Sequence, residues 1–75
     1  MTKLPVISGR EALMALKRAG WIEARQTGSH IVMVKSGSTV SVSVPDHKEL
    51  DRGTLKGIIR LAGLTVDEFA SLLKR

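Results

Sequence analysis

Hydrophobic positions along the chain follow two periods, and the change from one to the other divides it. From Ser8 to Ala19 apolar side chains recur at helical spacing. At about 100° per residue, Ala12, Leu13, Ala15, Leu16 and Ala19 share one arc, while Arg10, Met14, Lys17 and Arg18 lie on the other. Ser8-Gly9-Arg10-Glu11 has the form of a capping box, a serine hydroxyl accepting from the N3 amide and a glutamate reaching back to the cap amide. Gly20 supplies the left-handed residue that ends the helix. Met14 is an apolar side chain among exposed charges, either an isolated surface residue or part of a protein interface. Met1 to Ile7 reads as a short lead-in, with Pro5 disfavouring helix before it.

From Trp21 the period becomes two. Trp21 to Gln26 predicts a first strand, with Ile22 and Ala24 opposite Trp21, Glu23 and Arg25. Thr27-Gly28-Ser29 is a turn, His30 to Lys35 a second strand, and Ser36-Gly37-Ser38 another turn. Thr39 to Val44 is the clearest strand, ended by Pro45, with Val40, Val42 and Val44 on one side and Thr39, Ser41 and Ser43 on the other. Short loops make this an antiparallel meander with the second strand in the middle. A two-residue Gly37-Ser38 loop puts glycine first, as a type II′ turn requires. It pairs Ile31 with Val44 and Met33 with Val42 on the buried face, and leaves His30, Val32 and Val34 on the open face with Ser41 and Ser43. A three-residue loop would send His30 inward. The first register is expected, because it buries Ile31 and Met33 with the valines.

After a polar connection, Asp46 to Leu50, the helical period returns. Asp51 caps a helix with Leu50 and Leu55 as its hydrophobic staple; Leu55, Ile58, Ile59 and Ala62 form its inner face, and Gly63 closes it. Arg52, Lys56 and Arg60 fall at successive i+4 steps, where like charges repel by about a few tenths of a kcal/mol per pair. Gly57 costs about another 1 kcal/mol relative to alanine. A phosphate backbone laid along the stripe would offset the repulsion; the plainer reading is a solvated face. Leu64 to Lys74 predicts a last short helix, with a second capping box in Thr65-Val66-Asp67-Glu68, a staple of Leu64 and Phe69, and an inner face of Val66, Phe69, Ala70 and Leu73. The whole order predicts one two-layer α+β domain over residues 1–75. Its topology is the double-stranded-RNA-binding type, α-β-β-β-α, with a three-stranded antiparallel sheet, a short extra C-terminal helix and one sheet face free.

Composition narrows the class. A chain of 75 residues that is 43% hydrophobic and 25% charged is globular, with a core of marginal size. The absence of cysteine excludes a disulfide scaffold and a thiolate metal site, and suits a reducing compartment. No apolar run is long enough to span a bilayer and no secretory signal is present, so a soluble, cytoplasmic protein is expected, without membrane contact. The net charge of +5 is uneven: residues 1–35 hold six basic and two acidic side chains, residues 36–75 six and five. A basic small domain points to a polyanionic partner, with ordinary solubilising charge as the alternative.

Chemistry concentrates in Gly28-Ser29-His30. Glycine turns the chain, serine donates or accepts a hydrogen bond, and histidine is the side-chain type that changes charge near neutral pH. Ser29 is not a nucleophile for His30 by adjacency, because neighbouring strand residues point to opposite faces. Two histidines without cysteines, His30 and His47, do not organise a zinc site, and no nucleotide-binding glycine pattern is present, so no metal or cofactor is expected. Cleavage of RNA needs the fewest parts. The substrate brings its own nucleophile, the 2′-hydroxyl, and the protein must move protons and hold a phosphate. His30 is the candidate acid–base residue, and Arg25, Lys35 or the Arg52, Lys56 and Arg60 stripe the candidates for phosphate. His47 is a second acid–base candidate if the end of the third strand lies near His30. A histidine in a polar turn is otherwise simply solvated.

Taken together, Leu16-Lys17-Arg18-Ala19-Gly20-Trp21, Arg25-Gln26-Thr27-Gly28-Ser29-His30, Val44-Pro45-Asp46-His47, Gly53-Thr54-Leu55-Lys56-Gly57-Ile58-Ile59 and Ala62-Gly63-Leu64 resemble the HicA family, the toxins of HicAB toxin–antitoxin systems. The resemblance runs from Leu4 to Leu73. It implies a double-stranded-RNA-binding-like fold, an mRNA interferase (an endoribonuclease acting on mRNA) and a HicB antitoxin that covers the active site in a hetero-oligomeric complex. The family's catalytic histidine carries over onto His30, with Gly28 and Ser29 as its motif, and His47 matches a frequent family histidine. Family members often carry a second histidine or an aromatic after the catalytic one; here those positions are Ile31, Val32 and Met33. The rival from another class is a non-catalytic RNA-binding module of the same fold.

Overall fold

The computed structural model describes residues 3–74; Met1 and Thr2 of the lead-in, and Arg75, lie outside them. The elements are α1 (Gly9–Arg18), β1 (Ile22–Thr27), β2 (His30–Val34), β3 (Val42–Pro45), α2 (Arg52–Leu61) and α3 (Val66–Leu73). Each helix starts at the cap its sequence predicts. The Ser8 hydroxyl accepts from the Glu11 amide at 3.1 Å while the Glu11 carboxylate accepts from the Ser8 amide at 3.0 Å. Thr65 and Glu68 repeat this box at 3.1 and 2.8 Å, and the Asp51 carboxylate accepts from the Thr54 amide at 3.4 Å. Gly20 and Gly63, at φ +102° and +74°, turn the chain out of α1 and α2.

The three strands form one antiparallel sheet in the order β1-β2-β3, with Ile31 opposite Val44 and Met33 opposite Val42. This is the predicted register: Ile31 and Met33 are buried and His30 faces out. The loop behind it differs. The ladder stops at Met33 and Val42, and the chain turns over four residues, the Ser38 amide donating to the Lys35 carbonyl at 3.0 Å. Gly37 has φ +86° at the third position of that turn, which fits type II and not the expected II′. The Ser38 hydroxyl accepts from the Val40 amide and donates to the Val40 carbonyl, both at 3.2 Å. A side chain thus takes the backbone groups that a longer ladder would have used. The third strand therefore begins at Val42 instead of Thr39, and Val40 is 44% exposed instead of facing the core. Pro45 belongs to the strand as its last residue, opposite His30.

A second departure lies in β1, where the pairing shifts between Glu23 and Arg25. The extra residue of a bulge resets the alternation. Glu23 and Arg25, expected on one face, lie on opposite ones. Glu23 is opposite Met33 on the helix side, 3.9 Å from the Lys17 ammonium, and Arg25 is opposite Val32 on the open side. Ile22, opposite Val34, is 61% exposed, whereas Trp21 is buried just ahead of the strand.

α1 packs on β3 and α3, and α2 packs on β3, so the helices cover one face of the sheet and leave the other open. Leu16, Ile31, Met33, Val42, Val44, Leu55 and Phe69 are the largest fully buried side chains between the layers. Burying each contributes about 1.5–3 kcal/mol. In α3, Phe69 enters the core as expected, but Leu72 is buried where Leu73 was expected. Leu73 instead sits at the rim with Met14, in a shallow groove also lined by Glu11 and Arg18. The Arg18 guanidinium donates to the Leu72 carbonyl at 2.6 Å, which ties the end of α1 to the end of α3.

Candidate functional site

Gly28 and Ser29 are the two central residues of the β1–β2 hairpin, between the paired residues Thr27 and His30. Gly28 has φ +60° and, among the described residues, none other than glycine has positive φ, so the hairpin is of type II′. The turn predicted for Gly37-Ser38 thus occurs here. The Gln26 side-chain amide donates to the Gly28 carbonyl at 3.1 Å and steadies it. His30 is the first residue of the central strand, exposed, and flanked by Thr27 on one side and Pro45 on the other. Paired residues share a face, so Arg25, Val32 and Ser43 form the next row on the same open face.

The chain leaving β3 runs directly past this turn. The Asp46 amide donates to the Ser29 carbonyl at 2.6 Å. From the other side α1 holds the same segment: the Gly9 amide donates to the His47 carbonyl at 2.9 Å, and Arg10 makes a two-point contact with Asp46, Nε to Oδ1 and Nη2 to Oδ2, both at 3.1 Å. Gly9 lies so close to the Pro45 carbonyl oxygen that a Cβ would overlap it. His47 is exposed, and its charge reaches the carboxyl of Asp51, the cap of α2. That carboxyl is held below its ordinary value mainly by hydrogen bonding from the Thr54 side chain and then from the Thr54 amide, with a smaller pull from His47.

Of the residues singled out in the sequence, Gly28, Ser29, His30 and His47 therefore lie at one end of the sheet, and Arg25 lies on the His30 face. Arg52 opens α2 directly after Asp51. Lys35 lies beyond the far end of β2, about 16 Å along the strand from His30. Its side chain packs against Gly20. Lys56 and Arg60 sit in the helix layer, on a groove lined also by Ile59, Leu64 and Val66. Lys56 and Arg60 of the stripe thus line a surface apart from the His30 turn. Arg10 and Asp46 are the pair the sequence reading missed. They are separated by 36 positions, and helical spacing alone placed Arg10 on a solvated arc.

Two comparisons match this arrangement. The profile of a family described as "HicA toxin of bacterial toxin-antitoxin" matches residues 9–64, from the first turn of α1 to the end of α2, and so includes both histidine-bearing segments. Among solved structures, one described as "Toxin-Antitoxin complex from Streptococcus pneumoniae" superposes with a TM-score of 0.70 at 37% identity, over 77% of this chain and 98% of that one. A comparison with curated proteins gives no match. The α+β fold with an open sheet face, the solved relative and a profile spanning most of the chain agree: the chain belongs to the HicA toxin family of bacterial toxin–antitoxin systems.

Proposed function

We propose that this HicA-family toxin is an endoribonuclease acting on mRNA in the cytoplasm, with His30 as general acid–base residue, and that a HicB-type antitoxin neutralises it. The observation that carries the reading is the exposed His30, fixed at one sheet end beside the His47 segment, with Arg25 on the same face. In the reaction the RNA 2′-hydroxyl gives up its proton to a histidine and its oxygen attacks the adjacent phosphorus. The bond from phosphorus to the 5′-oxygen breaks, and that oxygen leaves with a proton from a second acid. The products are a 2′,3′-cyclic phosphate and a free 5′-hydroxyl. His30 takes one of the two proton transfers, His47 is the candidate for the other, and Arg25 steadies the phosphate charge. Metal is not required by this scheme. The open face around His30 also carries Ile22, Val32 and Val34, apolar side chains that a protein partner would cover.

The test is cleavage of labelled RNA by purified protein with a chelator present. The wild type should cleave. His30→Ala should lose about 10²–10⁴-fold in rate while keeping its fold by circular dichroism. Salt-dependent binding without cleavage by the wild type would favour the non-catalytic RNA-binding module, and unchanged cleavage by folded His30→Ala would overturn the role of His30.

A further inference from the structure

The backbone of His30 is fixed by its ladder, but that of His47 is not. Residues 46–49 lie outside any strand or helix, and their place beside the turn rests on few contacts. On the turn side there is the bond from the Asp46 amide to the Ser29 carbonyl. On the helix side are the Gly9 amide on the His47 carbonyl and the paired contacts of Arg10 with the Asp46 carboxylate. The Arg10 side chain is 65% exposed and that of Asp46 30%, so the pair contributes little to overall stability. Its geometry does something else. A guanidinium gripping both carboxylate oxygens fixes the orientation of Asp46 as well as its distance. The same residue's amide points at the turn that carries His30.

We propose that Arg10 and Asp46 form a positioning pair that sets the separation of the His30 turn from the His47 segment. The pair acts through the backbone of Asp46 on Ser29 and His47, and touches no reacting atom. This inference rests on the reading of the site as an RNA-cleaving one. Positioning has a signature that simple electrostatics lacks. Arg10→Ala removes a positive charge and Asp46→Ala a negative one, so their effects on attraction of RNA are opposite in sign. Loss of positioning lowers kcat in both.

The experiment measures kcat and KM on a labelled single-stranded RNA for the wild type, Arg10→Ala, Asp46→Ala, the double variant and His30→Ala, together with hydrogen exchange at the Asp46 amide. Both single variants should lose about ten- to a hundredfold in kcat, and the double variant no more than the worse single one, because the two side chains work as a unit. Exchange at the Asp46 amide should quicken in Arg10→Ala as its bond to Ser29 loosens. Wild-type kcat in either folded single variant overturns the proposal, as do losses that add in the double variant. So does a raised KM with a shallower salt dependence and intact kcat in Arg10→Ala, which would make Arg10 a phosphate contact. If His30→Ala cleaves as well as the wild type, or the wild type does not cleave, the functional reading fails. The exchange rate then still decides whether the pair holds the segment in place.

Discussion

An alanine at Gly28 would meet no atom within 4 Å, yet the backbone there sits at φ +60°, a conformation that side chains resist. At Gly9 the backbone is ordinary and the space is missing, since a Cβ would overlap the Pro45 carbonyl oxygen. The two glycines therefore fail differently. Gly28→Ala should cost about 1–3 kcal/mol through strain, and Gly28→Asn less, because asparagine tolerates positive φ. Gly9→Ala should cost about 1–3 kcal/mol through overpacking, and no choice of small side chain should relieve it. Urea denaturation followed by the fluorescence of Trp21, the single tryptophan and a buried one, measures all three. Asp51 allows a prediction in pH. Its carboxyl is lowered in the folded state by Thr54 and, less, by His47, so the stability it contributes is full above its unfolded value of about 3.9 and is lost as pH falls through the lower folded value. Asp51→Asn keeps a capping acceptor and loses only the charge. The wild type should be the more stable at pH 6, with the gap closing below about pH 4.

At the scale of elements, the register of the β1–β2 hairpin decides which cation shares the face of His30. The regular pairing that starts with Thr27 opposite His30 puts Arg25 opposite Val32, on the face of His30 and two positions along the sheet from it. The bulge beyond Arg25 turns Glu23 to the other face, and Lys35 stays at the opposite end of β2. Arg25→Ala should weaken RNA binding and reduce the slope of log affinity against log salt by about 0.7, the loss of one single-strand phosphate contact. Lys35→Ala should change the slope less, and equal effects from the two would place the RNA along the whole sheet. Neither the bulge nor the early end of the β2–β3 ladder was legible in the pattern of apolar and polar residues. A period of two cannot register one inserted residue, and the serine that bonds to Val40 looks, in sequence, like any turn residue. The helices were legible nearly to the residue, because their ends are set by local chemistry: Ser8 with Glu11, Asp51 with Thr54, Thr65 with Glu68. The strand register was legible too, since only one choice buried Ile31 and Met33 with Val42 and Val44. The tie of Arg10 to Asp46 was not. It depends on how α1 crosses the end of the sheet, which no local pattern encodes.

Across the whole molecule, the site end is assembled from three distant parts of the chain: the first turn of α1, the β1–β2 hairpin and the segment after β3. What keeps α1 in place is therefore a condition for the site. α1 rests on β3 on one side and on α3 on the other, where Arg18 bonds to Leu72 and Phe69 is fully buried. α3 lies outside residues 9–64, the part matched by the family profile, and its buried Phe69 and Leu72 support the fold. Phe69→Ala would leave a cavity under α1 and should cost about 3–5 kcal/mol. Small domains unfold with only about 5–15 kcal/mol, so this is a large share of the total. Thermal melting should fall by more than about 10 °C, at roughly 4–8 °C for each kcal/mol in a chain of this size. RNA cleavage at low temperature, where the variant is still folded, should fall as well, because α1 then holds the Pro45 to His47 segment less firmly. A Phe69→Ala protein that melts near the wild type would show that α1 keeps its place on β3 alone, and α3 would then have no part in holding the site together.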